Sequence, residues 1–497
     1  MHKEWNPVAI IDIGSNAVRL VVYHDLARVP VQLHNERTIC GLGKTLGTTG
    51  RLNPEGVIAA RDSLARFSAL IKAMKIKTVV AVATAAVREA KDGPAFVKMA
   101  KDEFDLHINV IEGEEEARLS ALGVVANHGN IDGLIGDFGG GSLELIGVEK
   151  GKITSQTSLP LGALRIMALN GEKDQIAYIN QHLDTVDLKK FKDQKFYILG
   201  GAWRTLARAH IFMEDYPITV LDNYRLETDT ALKFTRFISA QKEASLEKMS
   251  GLAKRRVKDM PAAALVLKHV LEAARPKQLV FSGTGLREGM LYDQLASAKK
   301  QMDPLISGCR EIGRQAGRFA TEKEFLDLAK WLMPLFPGAD AKDLKTVQAA
   351  ALLSDVGWFE HEDHRPRHAY QRILNMPLYG LSHRGRAIIA LGVYVRHRGY
   401  LRKLGRDMSQ ITEAAQKILT DKQRELAIQL GLGLRLAYIL TGGALALLKH
   451  AELKVTPKYL HLTLTGRHAG ISGDIIQGLL DDLAEKIRRE AKITLKS

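Results

Sequence analysis

Cysteine is nearly absent: Cys40 and Cys309 are the only two, and they lie far apart in the chain. Two separated thiols cannot form a cysteine zinc cluster, and their scarcity fits a reduced compartment. Long apolar runs are missing as well. None approaches the roughly 20 residues needed to span a bilayer, and a stretch such as 444–448 is short and follows Gly442 and Gly443. Residues 1–7 lack the basic-then-apolar layout of a signal peptide, so the chain is expected to stay in the cytoplasm. Aromatics make up only 6% of the residues, and no basic patch is interleaved with them. Nucleic-acid binding then rests on net charge alone and is not expected.

What the chain has in excess is positive charge, +15 with a pI near 9.5. A basic surface retains polyanions such as nucleic acid, anionic membrane or inorganic polyphosphate, and charge does not choose among them. At 497 residues the chain exceeds one ordinary core, and length alone suggests about three domains.

Two short stretches nearly repeat each other: Asp12-Ile13-Gly14-Ser15-Asn16 and Asp137-Phe138-Gly139-Gly140-Gly141-Ser142. Each lies between apolar runs and reads as strand, tight turn, strand. Such a turn can aim backbone N–H groups at phosphate oxygens, and the entering Asp can hold a divalent metal or its waters. A lone copy would be an ordinary hairpin. Two copies suggest two similar lobes facing one phosphate chain.

Between and after the hairpins, helix and strand patterns alternate. A helix is expected over 52–75 with Pro54 in its first turn, strands over 78–83 and 107–111, and a short helix from residue 85. Strands at 196–199 and 279–281 both run into glycine turns, 200–204 and 282–287. Ligands of open α/β sheets bind where strand ends meet helix N-termini, so four glycine turns point to one site. Near 298–301 the style changes. Residues 303–450 read as amphipathic helices with loops rich in His and Arg, and a strand at 459–464 with a helix over 473–489 reads as a small α+β end.

Three groups of residues suggest chemistry. Asp12, Asp137 and Glu144 would bring three carboxylates to a phosphate-filled cleft, which calls for Mg2+ between them. The bland alternative makes Glu144 a solvated strand residue. The acidic run Glu112 to Glu116 suits the start of a helix by itself, yet one of its carboxylates could act as general base toward water. Spacing does not say which. Arg88 sits in a first helical turn, where the dipole disfavours it, so a phosphate contact is the more informative reading. The basic run at 361–406, ending in Arg402, Lys403 and Arg406, reads as a solvated basic face rather than a metal site.

At these residues the sequence resembles the exopolyphosphatase and guanosine pentaphosphate phosphohydrolase family, within the acetate kinase, sugar kinase, heat-shock chaperone and actin superfamily. The matching strings are Asp12 to Asn16, Ala83 to Ala90, Glu115 to Leu119, Asp137 to Glu144, Ser158 to Gly162 and Gly285 to Gly289. They span about the first 290 residues in the family's order. The resemblance implies Glu115 as the catalytic glutamate, with the extra Glu114 as a weaker candidate, and Arg88 as the phosphate-binding arginine. It implies Asp12, Asp137 and Glu144 around Mg2+, and substrate contacts from Gly14, Ser15, Asn16, Gly139, Gly140, Gly141 and Ser142.

The C-terminal half resembles the family's HD-like helical domain with a departure. Ser354 precedes Asp355 where a catalytic HD domain carries His, so metal-dependent hydrolysis there is not expected. Dimer formation and a basic channel are the expected roles.

The expected architecture is therefore a two-lobed ribonuclease H-like α/β module, an all-helical HD-like domain and a small α+β end, with boundaries 1–125, 126–300, 301–450 and 451–497. The expected activity is Mg2+-dependent release of terminal orthophosphate from inorganic polyphosphate by a cytoplasmic homodimer. Hydrolysis of guanosine pentaphosphate at the same site is the alternative, and a non-catalytic nucleotide-binding switch is a lesser one.

Overall fold

The computed structural model describes residues 6–248, 252, 257–318, 320–399 and 412–496. Arg402, Lys403 and Arg406 of the basic run lie outside these. The chain divides into two units, residues 1–216 with 221–302, and 217–220 with 303–497.

The first unit contains the doubled mixed-sheet α/β module expected from the sequence. Its first lobe opens with β1 (Val8–Ile13), β2 (Ala17–Tyr23) and β3 (Gln32–Ile39). Then follow α1 (Pro54–Ala73), β4 (Thr78–Ala83), α2 (Ala85–Glu89), α3 (Gly93–Phe104), β5 (Ile108–Val110) and α4 (Gly113–His128). The sheet order is β3-β2-β1-β4-β5, with β1 antiparallel to β2 and parallel to β4. β1 is apolar on both faces because it has neighbours on both edges and layers above and below.

The second lobe repeats the plan with β6 (Gly133–Phe138), β7 (Leu143–Glu149), β8 (Lys152–Leu159) and β9 (Lys195–Leu199). It continues through α5 (Gly201–Met213), β10 (Arg225–Glu227), α6 (Met260–Ala274), β11 (Gln278–Phe281) and α7 (Leu286–Asp293). β6 is antiparallel to β7 and parallel to β9, as β1 is to β2 and β4. The repeat seen in the two turns is thus a repeat of whole sheets. Each lobe has its own core, centred on Leu64 and Phe67 in one and on Trp203 and Phe196 in the other. Trp203 is fully buried, and its indole N–H donates to the Ala263 carbonyl at 2.9 Å, so its one polar atom is satisfied.

Helices α4 and α7 pack unusually closely, and glycine permits it. A Cβ on Gly289 would meet the Leu119 carbonyl oxygen at 1.8 Å, and one on Gly123 the Gly285 oxygen at 2.1 Å.

The second unit is helical, then ends in a small sheet. Its helices include α8 (Pro304–Ala316), α9 (Glu322–Leu332), α10 (Ala341–Leu352), α11 (Arg365–Asn375), α12 (His383–Arg398) and α13 (Asp421–Thr441). α12 starts at Ser382, whose hydroxyl accepts from Gly385 N–H at 3.1 Å, and it is buried along nearly its whole length. Strands β12 (Ala451–Val455), β13 (Tyr459–Thr465) and β14 (Glu490–Lys496), with helix α14 (Asp474–Lys486), complete the unit. Only β13 and α14 were legible in the sequence. β12 pairs with β13 antiparallel and β14 pairs with it parallel.

Candidate active site

Both hairpin turns close in the same way. Gly14 N–H donates to the Ala17 carbonyl at 3.0 Å, and Gly139 N–H to the Ser142 carbonyl at 2.9 Å. In each hairpin the aspartate is the next-to-last residue of the first strand. Asp12 therefore faces Arg19 across the ladder, and Asp137 faces Glu144.

All four glycine turns meet. Gly14, Ser15, Asn16, Gly139, Gly140, Gly141 and Ser142 line one cavity of about 360 Å³ together with Gly200, Gly201 and Gly285. Gly200 has φ +94°, and a Cβ there would meet the Phe138 oxygen at 2.1 Å, so only glycine fits. The second turn is held from behind. The carbonyls of Gly139 and Gly140 accept from Ala163 and Leu164 N–H at 3.1 and 2.9 Å, and that of Gly141 accepts from Arg165 Nε at 2.9 Å. With its carbonyls engaged there and the Gly139 N–H closing the turn, the N–H groups of Gly140 and Gly141 remain to meet a ligand.

The cavity gathers acids, but not all those read from the sequence. Asp12 and Asp137 line it, as does Glu116. Glu115 does not: its carboxylate forks onto Arg118 at 2.7 and 2.8 Å, and Arg118 also holds Asp293 at 2.8 Å. The Glu115 side chain is 41% exposed, whereas that of Glu116 is 14% exposed. The position next along the helix thus occupies the place expected of Glu115. Glu114 is exposed. Glu144 is buried at 2% exposure and accepts from Ser158 Oγ at 3.0 Å, which removes the solvated-strand alternative. Asp137 accepts from Ser120 Oγ at 2.7 Å.

Glu116, Glu144 and Asp137 all have raised proton affinities. Burial, then Glu144 and Asp137, push Glu116 well above the usual carboxylate range, with Arg88 opposing. Burial and Asp137 push Glu144 up to about 7, while burial also raises Asp137. Arg88 donates to the Ile111 carbonyl at 2.7 Å and to Glu116 Oε2 at 3.5 Å. It stands behind Glu116 and is not among the residues that line the cavity.

The positive side of the cavity was not singled out from the sequence. Arg19, Arg37, Arg204, Arg208 and Arg287 all line it. Arg204 donates to the Ser282 and Thr284 carbonyls at 3.0 and 3.1 Å, and Arg287 Nε lies 4.0 Å from Asp12. Burial, then Arg287 and Arg37, lower Arg19 to about 10, the mark of cations gathered to meet an anion. These arginines are spread over β2, β3, α5 and α7, so sequence spacing carries no signal that they converge. Among the described residues Phe138 is the only aromatic that lines it, and it is buried and stacked on Trp203 at 5.0 Å.

The donor chemistry suits Mg2+. Asp12, Asp137 and Glu144 offer hard carboxylate oxygens, and the raised proton affinities of Asp137 and Glu144 reflect negative charge gathered out of water. Among the described residues no three His, Cys, Asp or Glu form a ready cage. Mg2+ keeps waters and substrate phosphates as ligands and does not need a protein cage.

In the basic run, His361 and His368 are exposed and sit beside Asp363 at 3.6 Å and Glu360 at 3.1 Å. Part of the run departs from the expected solvated face: Arg396 and Arg386 are buried.

Residues 21–298 match the model of the Ppx/GppA phosphatase family, and residues 322–494 match that of the exopolyphosphatase C-terminal region. Retrograde regulation protein 2 of Saccharomyces cerevisiae is 26% identical over 474 residues, covering 86% of this chain and 78% of that protein. Guanosine-5'-triphosphate,3'-diphosphate pyrophosphatase of Photobacterium profundum is 27% identical over 308 residues, covering 60% of this chain and 61% of that one. Among solved structures, an exopolyphosphatase from Cytophaga hutchinsonii is 25% identical with TM-score 0.53, over 58% of this chain and 97% of that one. The Aquifex aeolicus member of the Ppx/GppA family is 26% identical with TM-score 0.50, over 60% and 99%. No helix among the described residues is long and apolar enough to cross a membrane.

Proposed function

The chain belongs to the Ppx/GppA phosphatase family, and on that premise we propose that it is an exopolyphosphatase, releasing terminal orthophosphate from linear inorganic polyphosphate by attack of water. The observation that carries this reading is one cavity lined by two glycine turns, a largely buried Glu116 and five arginines.

The terminal phosphates lie against the N–H groups of Ser15 and Asn16 in the first turn and of Gly140 and Gly141 in the second. Ser15, Asn16 and Ser142 add hydroxyl and amide contacts. Glu116 takes the proton from the attacking water. Its raised proton affinity makes it a stronger base near neutral pH than an ordinary carboxylate. Arg88 orients the Glu116 carboxylate and restrains that rise. Asp12, Asp137 and Glu144 would hold Mg2+, which supplies charge neutralisation to the phosphoryl oxygens when bound. Ser120 and Ser158 fix two of these carboxylates. The five arginines offset the charge of the chain and of the transition state.

Guanosine pentaphosphate is the alternative substrate, since a relative carries that activity in its name. The cavity lining favours the polymer. Among the described residues it offers no exposed aromatic face on which a guanine could stack.

The test is phosphate release measured in parallel from long polyphosphate, short polyphosphate and guanosine pentaphosphate, with and without Mg2+. The expected result is Mg2+-dependent release with a higher kcat/KM on polyphosphate. A strong preference for the nucleotide would overturn the choice.

The acids also set a pH dependence of stability. Glu144 has its folded pKa raised from 4.5 to about 7 in the metal-free protein. The folded state therefore keeps a proton that the unfolded state loses, and stability falls as pH rises between those values. A bound cation removes the penalty of burying the charge. Thermal unfolding should show Mg2+ raising Tm by several degrees near pH 8 and hardly at all near pH 5. Equal shifts at both pH values would contradict the placement of the cation.

A further inference from the structure

The two lobes of the first unit touch at their glycine turns. A Cβ on Gly141 would meet the Ser15 Oγ at 3.1 Å and the Ala85 Cβ at 3.4 Å, so the second turn lies against the first turn and the start of α2. One helical turn further along α2, Glu89 accepts from Arg165 Nη2, while Nε of the same guanidinium donates to the Gly141 carbonyl at 2.9 Å. One planar group from the second lobe thus spans a first-lobe carboxylate and the backbone of the turn.

Arg165 reaches both because its helix starts against the turn. Gly162 precedes the short helix Ala163–Met167, and a Cβ on Gly162 would fall 2.3 Å from the Gly141 carbonyl carbon, so a side chain there would push the two apart. From this position Ala163 and Leu164 N–H hold the Gly139 and Gly140 carbonyls, and Arg165 holds that of Gly141. A trans peptide sets each N–H opposite the preceding carbonyl. Holding these three carbonyls therefore sets the direction of the N–H groups of Gly140, Gly141 and Ser142.

The first two carbonyls are held by backbone that belongs to the second lobe. The third is held by a side chain whose other partner stands in the first. Beside that partner on α2 is Arg88, which reaches the carboxylate of Glu116. The Arg165 and Glu89 side chains are 31% and 38% exposed, so their pair adds little to stability and its effect is on geometry.

We propose that Arg165 is a positioning residue for the hydrolysis. Clamped to Glu89, it fixes the second turn relative to α2 and so to Glu116, and the phosphoryl group resting on that turn then stands in line with the water that Glu116 activates. The inference rests on the cavity being a phosphohydrolase site, and it holds whichever phosphoanhydride is cleaved. A misplacement of about 1 Å in such an alignment costs on the order of 10²-fold in rate.

The test is steady-state kcat, KM and Tm for the full chain and for Arg165→Met, Arg165→Lys, Glu89→Gln and the Arg165→Met/Glu89→Gln double variant, on polyphosphate and on guanosine pentaphosphate. Arg165→Met should lower kcat by about 10–100-fold. KM should stay within about threefold, because the arginines and turns that bind the phosphates remain in the cavity. Tm should move by less than about 3 °C, as for an exposed pair. Arg165→Lys should not restore the rate, since an ammonium lacks the fork that holds both partners. Glu89→Gln should lower kcat less than Arg165→Met does, and the double variant should be no slower than Arg165→Met alone. An unaltered kcat in folded Arg165→Met or Arg165→Lys protein would overturn the proposal, as would a double variant slower by the product of the two single effects. If Arg165→Met fails to fold, Arg165→Lys and Glu89→Gln carry the test. The choice of substrate is decided separately, by the unaltered enzyme. A preference there for the nucleotide overturns the exopolyphosphatase reading and leaves the ratio of variant to unaltered kcat as the measure of Arg165, whereas release from neither substrate overturns both.

Discussion

Glu116→Gln is expected to lower phosphate release by about 10²–10⁴-fold with little change in substrate binding, the range for losing a general base. Glutamine keeps the size of the side chain, so the cavity stays filled and only the proton acceptor is lost. Glu115→Gln, measured beside it, should stay within about threefold of the unaltered enzyme. That substitution weakens a half-exposed pair with Arg118, a contact worth roughly 0.2–1 kcal/mol, and removes nothing from the cavity lining. Steady-state kcat and KM for the two variants decide between them. An inactive Glu115→Gln enzyme beside an active Glu116→Gln enzyme would reverse the assignment.

Gly289→Ala is expected to destabilise the first unit by about 3 kcal/mol, at the upper end for overpacking. The added methyl would fall 1.8 Å from the Leu119 carbonyl oxygen, and that neighbour is backbone inside helix α4, which cannot rotate away. Helices α4 and α7 must part instead. α4 carries Glu116 and Ser120, and α7 carries Arg287, so parting them also spreads the cavity. Thermal unfolding should show Tm lowered by roughly 6–12 °C, and kcat should fall in whatever protein remains folded. An unchanged Tm would mean that the two helices are not held at this separation.

Much of this was legible in the sequence, for physical reasons. An Asp-Gly turn between two apolar runs is a local signal, so Asp12, Asp137 and their glycines could be read directly. The strands missed at the C-terminal end have no such signal. β14 reads Glu-Ala-Lys-Ile-Thr-Leu-Lys, and its pairing is made by a partner about 30 residues earlier. β10 is three residues long and gains its identity only from β11.

Glu116 was missed because three consecutive glutamates on a helix point in three directions, and composition does not give the phase. A signal was present. Ala117, Ser120, Ala121 and Val124 are buried and small or apolar at helical spacing. Glu116 stands one turn before Ser120 on that face, while Glu115 stands one turn before the charged Arg118. The five arginines of the cavity were beyond reach because they come from four elements far apart in the chain, β2, β3, α5 and α7. The basic run at 361–406 was read as solvated by its charge alone. The apolar segment Ala387 to Val395 between Arg386 and Arg396 is buried, and it takes both arginines into the interior with it.

The most direct test of the account is the pH profile of phosphate release from polyphosphate at saturating Mg2+. The unaltered enzyme and Glu115→Gln should both show activity rising with pH on the acidic side, as the base loses its proton. Glu116→Gln should lose that rise along with most of its rate. An acidic limb that persists unchanged in Glu116→Gln would contradict the assignment of Glu116 as the group that activates water.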